Sequence, residues 1–468
     1  MLIPCLSQAQ QQIDTDNVGL DHAMKTPKNN APASSNPHAL PVEDSVKSTE
    51  GIQHLASSFA NSDEHTNLEK YYKSDIIVIN DVARSFQMKK EMIRCAEKSV
   101  EISFNFAGGK NFQEVLAIIE DKMQEIDDFT SHFLVSKDLL EKEDRKSLEK
   151  LKSLYGDRFY FVITKRLLST EEFLHAEQNH VKLLLVDVNH FIIGGSGVHE
   201  RMNREAHEGV KEQCNSVSSQ FLAKGFSDTD IAGKGKEIST LMRFKFFKLY
   251  QIWASRMKRD LSGQEGIYSL IPPERVGTQS MFDREQNMVK GVDILFLISG
   301  PEHGEENPIS SAIANVIESA QKTVRIASLI FNPADKIRGA LHRAKSRRVQ
   351  VSGNFEGRWW TQMIPSRPNY SLCTEGAVYE YDQKDQIYHK KVLTADDVSV
   401  IGSYNLGRKS ARCDYEAVCI IKSPEVTRLL NQALEEDQRR SKQVSPSVYL
   451  SWGNRLMGTF IAPLLERF

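Results

Sequence analysis

The residues best suited to chemistry lie in two copies of one pattern, in which a lysine follows a histidine by two positions and an aspartate follows four residues after that. The members are His180, Lys182 and Asp187 in the first copy, and His389, Lys391 and Asp396 in the second. Both copies read as a strand, a tight turn and a returning strand, and side chains two apart on a strand share a face. Each histidine should therefore point into a pocket beside its lysine. An imidazole beside a fixed ammonium suits a phosphate ester, because the lysine can hold the non-bridging oxygens while the histidine reacts.

Small and polar residues follow each copy and are candidates for contact with a substrate. The first copy continues into Gly194-Gly195-Ser196, and the second into Gly402-Ser403 and then Asn405. We predict that Ser196, Ser403 and Asn405 bind substrate. The two aspartates are included among the catalytic candidates, although support of the turns is the role that their position favours.

An internal repeat links the two copies to two halves of the chain. Residues 92–103 and 316–327 carry apolar, alanine, lysine and hydroxyl residues at matched offsets, and each stretch leads on to one histidine pattern. One such pattern in an apolar strand is common and means little. Two copies, each at the end of a half that begins alike, form a specific signal.

Composition and charge narrow the class of protein. The chain has 468 residues, a formal net charge of −2 and 40% hydrophobic residues, which is ordinary for a globular protein of two or three domains. The near-neutral charge gives no indication of nucleic acid as a partner. The thirteen histidines show no metal-ligand spacing, so no metal or other cofactor is expected. The six cysteines form no disulfide framework, and no apolar run reaches the length of a membrane span.

The chain divides into five predicted segments. Residues 1–72 are predicted to be disordered, either as a tail or as an export or localisation signal. Residues 73–261 and 290–450 form the two halves, 262–289 a linker and 451–468 a C-terminal cap. Helices and strands alternate in both halves, which favours a mixed sheet with helices on both faces. A basic helix is predicted to contain Phe244, Phe247 and Trp253. We predict that these aromatic side chains pack in the core, and the alternative is that the helix makes peripheral contact with a membrane.

With these features the sequence resembles the phospholipase D superfamily, whose members carry two such motifs. The resemblance covers roughly residues 73–450. The resemblance implies an α/β fold of two α/β/α sandwich halves related by a pseudo-twofold axis, with one active site at their interface. It also implies a phosphohistidine intermediate, with His180 as the nucleophile and His389 as the acid/base. In this superfamily a downstream glutamate often braces the far nitrogen of the histidine. Glu208 lies 28 residues after His180 and Glu416 lies 27 after His389, so we predict these two braces.

The resemblance is closest to the cardiolipin-synthase-type and bacterial phospholipase D-like members. It implies a phosphodiesterase or phosphatidyltransferase that acts on a phospholipid substrate. One departure is Gly197, which stands where the first motif of the family has an asparagine. The alternatives are a metal-independent nuclease of the same superfamily and a degenerate, non-catalytic lipid-binding protein.

Overall fold

The computed structural model describes residues 70–168, 176–203, 225–258, 287–357, 366–383 and 385–445. The predicted disordered segment up to residue 69, most of the predicted linker, the predicted cap and Glu208 lie outside the described residues. We call residues 70–258 the first half and residues 287–445 the second half.

The first half alternates strands with helices on either side of a sheet. Its strands are β1 Tyr72–Ile79, β2 Ser99–Phe104, β3 Ala107–Gly108, β4 Thr130–Ser136, β5 Phe159–Thr164, β6 Leu167–Leu168, β7 Ala176–Asn179, β8 Lys182–Val186, β9 His190–Gly194, β10 Val198–His199, β11 Gly225–Ser227 and β12 Asp230–Lys234. Its helices are α1 Val82–Arg94, α2 Gly109–Glu125, α3 Lys142–Tyr155 and α4 Lys236–Arg256, with short 3-10 turns at Lys137–Leu139 and Gly156–Arg158. Most of the charged residues between positions 138 and 152 lie in α3.

The second half repeats this arrangement. Its strands are β13 Val289–Ser299, β14 Thr323–Ser328, β15 Phe331–Asn332, β16 Gln350–Glu356, β17 Val378–Tyr381, β18 Gln386–Tyr388, β19 Lys391–Ala395, β20 Val398–Gly402, β21 Leu406–Gly407, β22 Asp414–Lys422 and β23 Ser441–Val444. Its helices are α5 Pro308–Ser319, α6 Asp335–Ser346, α7 Arg408–Arg412 and α8 Pro424–Arg439, with 3-10 turns at Pro301–Glu306 and Arg367–Leu372.

The order of paired strands shows the twofold relation between the halves. From β1 outwards the first half runs β12, β9, β8, β2, β4 and β5, and from β13 outwards the second half runs β22, β20, β19, β14, β16 and β17. The central strands β1 and β13 pair antiparallel, so the two sheets join at this edge. The structure therefore has the predicted mixed α/β architecture, with two related halves.

Each histidine pattern begins a hairpin that turns at its aspartate. Asp187 and Asp396 have positive φ angles of 52° and 47°, a left-handed conformation that aspartate tolerates better than most residues. The Asp187 carboxylate accepts hydrogen bonds from the backbone N–H groups of residues 97, 98 and 99 at 2.8–3.0 Å. The Asp396 carboxylate accepts from residues 321, 322 and 323 in the same way. Each aspartate thus ties its turn to the start of the neighbouring strand.

Three large apolar clusters among the described residues hold the two halves and their interface, and a fourth, small cluster also contains residues of both halves. One lies within the first half, a second lies within the second half, and a third contains buried residues of both, including Leu183, Trp253, Val392 and Tyr415. Trp253 and Phe247 of α4 are buried in this shared cluster, as core packing predicts. Among the described helices, none combines the length and the apolar character needed to cross a membrane.

Candidate active site

His180 of the first half is held by strand β22 of the second half. Its backbone N–H donates to the Tyr415 carbonyl at 2.9 Å. Its Nδ1 lies 3.0 Å from both carboxylate oxygens of Glu416. Because Nδ1 is bound in this way, Nε2 is the ring nitrogen left for chemistry.

His389 of the second half is held by the first half in the mirrored manner. Its backbone N–H donates to the Ser227 carbonyl at 2.9 Å, and its Nδ1 lies 2.6 Å from Asp228 Oδ2. The braces therefore cross the interface. The predicted pairing of Glu416 with His389 is wrong, because Glu416 contacts His180 instead.

The strand register explains why the sequence did not indicate Asp228. In the first half Asp230 pairs with Gly194, and in the second half Val418 pairs with Gly402. Asp228 and Glu416, each two residues earlier, therefore occupy equivalent positions. Asp228 lies 48 residues after His180, whereas Glu416 lies 27 after His389. Matching the two halves by offset alone consequently favoured Glu208, which lies outside the described residues.

Two lysines lie beside the imidazoles, and both are buried. Lys182 Nζ donates to the His180 carbonyl at 2.9 Å. Lys391 Nζ lies 3.0 Å from His389 Nδ1 and also donates to the His389 carbonyl. Burial and, to a lesser degree, the Lys391 ammonium lower the pKa of Lys182 to about 7, and burial lowers the pKa of Lys391 to about 8. An anionic phosphate between these groups would favour their charged forms, so the site is prepared for an anion.

The imidazoles are neutral in the free protein near pH 7. Burial and, secondarily, the Lys391 ammonium lower the pKa of His389 to about 3. Burial and the neighbouring Lys182 ammonium lower the pKa of His180 well below its ordinary value. Burial raises the pKa of Glu416 to about 7. A neutral imidazole whose Nδ1–H donates to a carboxylate presents an Nε2 lone pair, which is the form that attacks phosphorus or accepts a proton.

The residues after the hairpins differ between the two halves. Ser403 donates a hydrogen bond to Glu416 and accepts one from the Ala417 N–H at 3.0 Å, so it fixes the brace of His180. By the register given above, the residue equivalent to Ser403 is Gly195 and not Ser196. A Cβ at Gly195 would lie closer than 3.0 Å to the Asp228 carboxylate, so glycine leaves room for the brace of His389.

Ser196, which the sequence assigned to substrate binding, takes part in a buried polar network. Its hydroxyl donates to Asp230 and accepts from Lys89 Nζ, which lies 2.6 Å away. Lys89 also forms a 2.9 Å ion pair with Asp230, and both side chains are buried. Ser196 therefore links α1 to β12, and its predicted contact with substrate stays a prediction.

Asn405 remains a candidate for substrate contact, and Gly197 occupies the equivalent position of the first half. The Asn405 Oδ1 is buried and has no hydrogen-bond partner among the described residues. A Cβ at Gly197 would overlap the Phe106 carbonyl oxygen, which accepts a 2.7 Å hydrogen bond from the Val198 N–H. The close approach of this backbone explains why no amide side chain stands at position 197.

One group of side chains in the site contains atoms that could coordinate a cation. One ligand atom each of His180, Asp414 and Glu416 lies within 4.8 Å of the others. The ammonium groups of Lys182 and Lys409 contribute to lowering the pKa of His180. The same positive charges would repel a metal ion bound beside this imidazole. The arrangement is better suited to an anionic phosphate ester than to a metal.

Comparisons with known proteins show which sequences this chain is similar to. Residues 313–438 match the family model described as "Cardiolipin synthase, PLD-like domain". The chain is 25% identical over 274 residues to the probable cardiolipin synthase YwiE of Bacillus subtilis, an alignment that covers 58% of this chain and 47% of that protein. It is 23% identical over 288 residues to cardiolipin synthase 1 of Staphylococcus epidermidis, covering 58% and 49%. The chain spans about half the length of the curated relatives it matches.

The fold is similar to that of a solved enzyme structure. The crystal structure of phosphatidylserine synthase from Haemophilus influenzae superposes with a TM-score of 0.56 at 14% identity, covering 83% of this chain and 92% of that one. At this identity the likeness shows the fold, and the chemistry must be argued from the residues of the site.

Proposed function

Because this chain belongs to the phospholipase D superfamily, we propose that it is a phosphodiesterase or phosphatidyltransferase that acts on phospholipids. The observation that carries the proposal is the crossed bracing of two buried imidazoles. Each has Nδ1 bound to a carboxylate of the opposite half, Glu416 for His180 and Asp228 for His389. This is the pairing that fixes the tautomer of a catalytic histidine and stabilises its protonated form during the reaction.

The proposed reaction proceeds through a phosphohistidine. Nε2 of one neutral imidazole attacks phosphorus. The second imidazole takes up a proton on Nε2 from solvent when the anionic ester binds, because a neighbouring anion favours the charged form. It gives this proton to the head-group oxygen as the bond from phosphorus to that oxygen breaks. The second imidazole then accepts a proton from water or from an alcohol, whose oxygen attacks phosphorus and releases the first imidazole. Lys182, Lys391 and Asn405 are proposed to offset the charge on the non-bridging oxygens. The product is phosphatidic acid when water attacks and a new phospholipid when an alcohol attacks.

The phospholipid substrate is supported by apolar groups beside the reacting atoms. The Phe226 ring lies edge-on to His389 with ring centroids 5.1 Å apart, and the Phe106 ring lies 6.1 Å from the same imidazole. These rings would contact the apolar part of an amphiphilic ester. Both bacterial relatives described above are named as cardiolipin synthases, the first of them as a probable one, which is consistent with such a substrate.

A lipid substrate also implies peripheral contact with a membrane surface, for which we propose the exposed side of α4. Lys248 is exposed there, and its ammonium lies 4.8 Å from the centroid of the Phe244 ring. A cationic group beside an aromatic ring is a combination suited to the interface of an anionic membrane.

Lipid product analysis tests the proposed function. Purified full-length protein is incubated with labelled phosphatidylglycerol or phosphatidylcholine, and we expect phosphatidic acid or cardiolipin to form without added metal. His180→Ala and His389→Ala should each lower turnover by about 10²–10⁴-fold, because each removes a group that takes part in attack or proton transfer. His342→Ala, which changes an exposed histidine of α6, is the matched control and should retain activity.

The other proposed outcomes are separated by the same samples. Wild-type protein that binds lipid vesicles but forms no product, with no phosphohistidine trapped, would contradict the enzymatic proposal and favour a non-catalytic lipid-binding protein. Degradation of plasmid DNA without metal, with no lipid turnover, would favour a nuclease.

A further inference from the structure

Four polar side chains form a buried network beside the end of the first hairpin. Lys89 Nζ donates to Ser85 Oγ at 2.8 Å and to Ser196 Oγ at 2.6 Å, and it lies 2.9 Å from Asp230 Oδ2. Both hydroxyls donate to the same Asp230 oxygen. None of the four residues is more than 2% exposed. We call Ser85, Lys89, Ser196 and Asp230 the Lys89 network.

The equivalent positions of the second half are largely apolar. Counting from the N–H groups that bind the two turn aspartates relates α1 to α5, and the strand register given above relates the residues after the hairpins. The side chains equivalent to Ser85, Lys89, Ser196 and Asp230 are, in this order, Ile309, Ile313, Tyr404 and Val418. All four belong to the apolar cluster of the second half. Their single side-chain polar atom, the Tyr404 hydroxyl, lies 2.8 Å from Ser310 Oγ.

This difference between the halves indicates that the Lys89 network has a role beyond stability. A buried ion pair stabilises a fold no better than apolar residues that fill the same space, because its charges lose their hydration. The second half forms the same hairpin and helix with largely apolar side chains. The network therefore has to be explained by what lies next to it, which is the brace of His389.

The two braces differ in what holds them. Glu416 accepts a hydrogen bond from Ser403 Oγ, which in turn accepts one from the Ala417 N–H at 3.0 Å. Gly195 stands at the position equivalent to Ser403, so it offers no hydroxyl to Asp228. The placement of the brace of His389 must therefore come from the backbone that carries it.

The network binds this stretch of backbone. Asp230 Oδ1 accepts a hydrogen bond from the Ser196 N–H at 3.0 Å, and the Gly195 N–H donates to the Thr229 carbonyl at 3.2 Å. The Thr229 N–H in turn donates to Asp228 Oδ1 at 3.0 Å. These bonds hold the start of β12 and the residue before it against the chain that leaves the first hairpin.

We propose that Lys89 and Asp230 are positioning residues that hold Asp228 in place and, through it, His389. Lys89 neutralises the Asp230 carboxylate and fixes it to α1, and the carboxylate fixes the Ser196 N–H. The Lys89 network thereby takes the part that Ser403 has in the second half. The effect on catalysis rests on the proposed function, whereas the placement of the imidazole can be measured without a substrate.

Three variants test this role by consumption of labelled phosphatidylglycerol. Lys89→Met leaves the Asp230 carboxylate buried without its counter-ion, and we expect kcat to fall by about 10–100-fold while KM changes by less than about twofold. Lys89→Met/Asp230→Asn is neutral and keeps an oxygen for the Ser196 N–H, so it should restore most of kcat. Lys89→Met/Asp230→Leu has a side chain of the same size without that oxygen, and its kcat should stay low.

Proton NMR of the full-length protein follows the imidazoles directly. The Nδ1–H groups that bind Glu416 and Asp228 should each give a signal at low field, because a carboxylate acceptor makes a strong hydrogen bond. His389→Ala assigns the second signal. We expect Lys89→Met and Lys89→Met/Asp230→Leu to shift or broaden the His389 signal and to leave the His180 signal unchanged, whereas Lys89→Met/Asp230→Asn should retain both.

A different ion pair serves as the control. Arg367 lies 2.8 Å from the buried Glu380 carboxylate in the second half. Arg367→Met/Glu380→Gln should lower the Tm while kcat and both NMR signals stay as in wild type. A purely structural role of the Lys89 network would give the same result in its own variants.

Wild-type kcat and an unmoved His389 signal in Lys89→Met and in Lys89→Met/Asp230→Leu would overturn the positioning role, even if their Tm falls. If one of these two does not fold, as shown by loss of both signals, the other is compared with Lys89→Met/Asp230→Asn. Equal kcat and equal His389 signals in that comparison would overturn the role as well. If wild-type protein turns over no lipid, the proposed function fails, and the His389 signal alone decides the positioning role.

Discussion

At the scale of residues, the site consists of two imidazoles whose states are set by groups from the opposite half. Burial keeps both imidazoles neutral in the free protein, and the carboxylates of Glu416 and Asp228 orient them. The sequence predicted both histidines and both lysines, because their spacing places them on one face of a strand. It did not predict which acid meets which histidine, since this depends on how the halves dock.

Because Gly195 has no side chain, it leaves space for the Asp228 carboxylate, and this leads to a prediction for a single substitution. Gly195→Ala should lower kcat by about 10²-fold or more, because the added Cβ would displace the Asp228 carboxylate and with it His389. Gly339→Ala is the control, since this helical glycine meets only the flexible Arg343 side chain at 3.1 Å. The comparison is made by lipid turnover at saturating substrate, and equal activity of both variants would contradict the role assigned to Asp228.

At the scale of elements, the two hairpins position the reacting groups, and their aspartates stabilise the turns. Asp187 and Asp396 each accept hydrogen bonds from three backbone N–H groups, and among the described residues neither carboxylate is hydrogen-bonded to an imidazole. The repeat of spacing was sufficient to predict both hairpins. Asp228 and Glu416 lie at different distances along the chain from their hairpins. Their equivalence could not be predicted from spacing, because register is fixed by strand pairing and not by distance along the chain.

The segment after the first hairpin gives a prediction at this scale. Gly197→Asn would introduce the residue found in the superfamily motif, yet we expect it to destabilise the fold by about 1–3 kcal/mol without raising activity. The reason is the overlap of its Cβ with the Phe106 backbone. Denaturant unfolding measures the effect. Gly407→Asn, where the nearest atom to an added Cβ is 3.4 Å away, is the control and should be milder. A more active and equally stable Gly197→Asn protein would contradict this view of position 197.

At the scale of the whole molecule, the site exists only where the halves meet. The first half supplies the brace of His389 and the second half that of His180, and an apolar cluster shared by both holds them together. The internal repeat was enough to predict a paired architecture. The crossing of the two braces could not be predicted, because Asp228 lies in a stretch that carries no motif.

The central claim is that both imidazoles act on one phosphorus, and a crystal structure of the protein with orthovanadate tests it most directly. We expect one vanadate bound to Nε2 of His180 or His389, with Nε2 of the other within about 3 Å of a vanadate oxygen and both lysine ammonium groups beside the remaining oxygens. A vanadate that contacts only one of the two histidines, with the other turned away from it, would contradict the account.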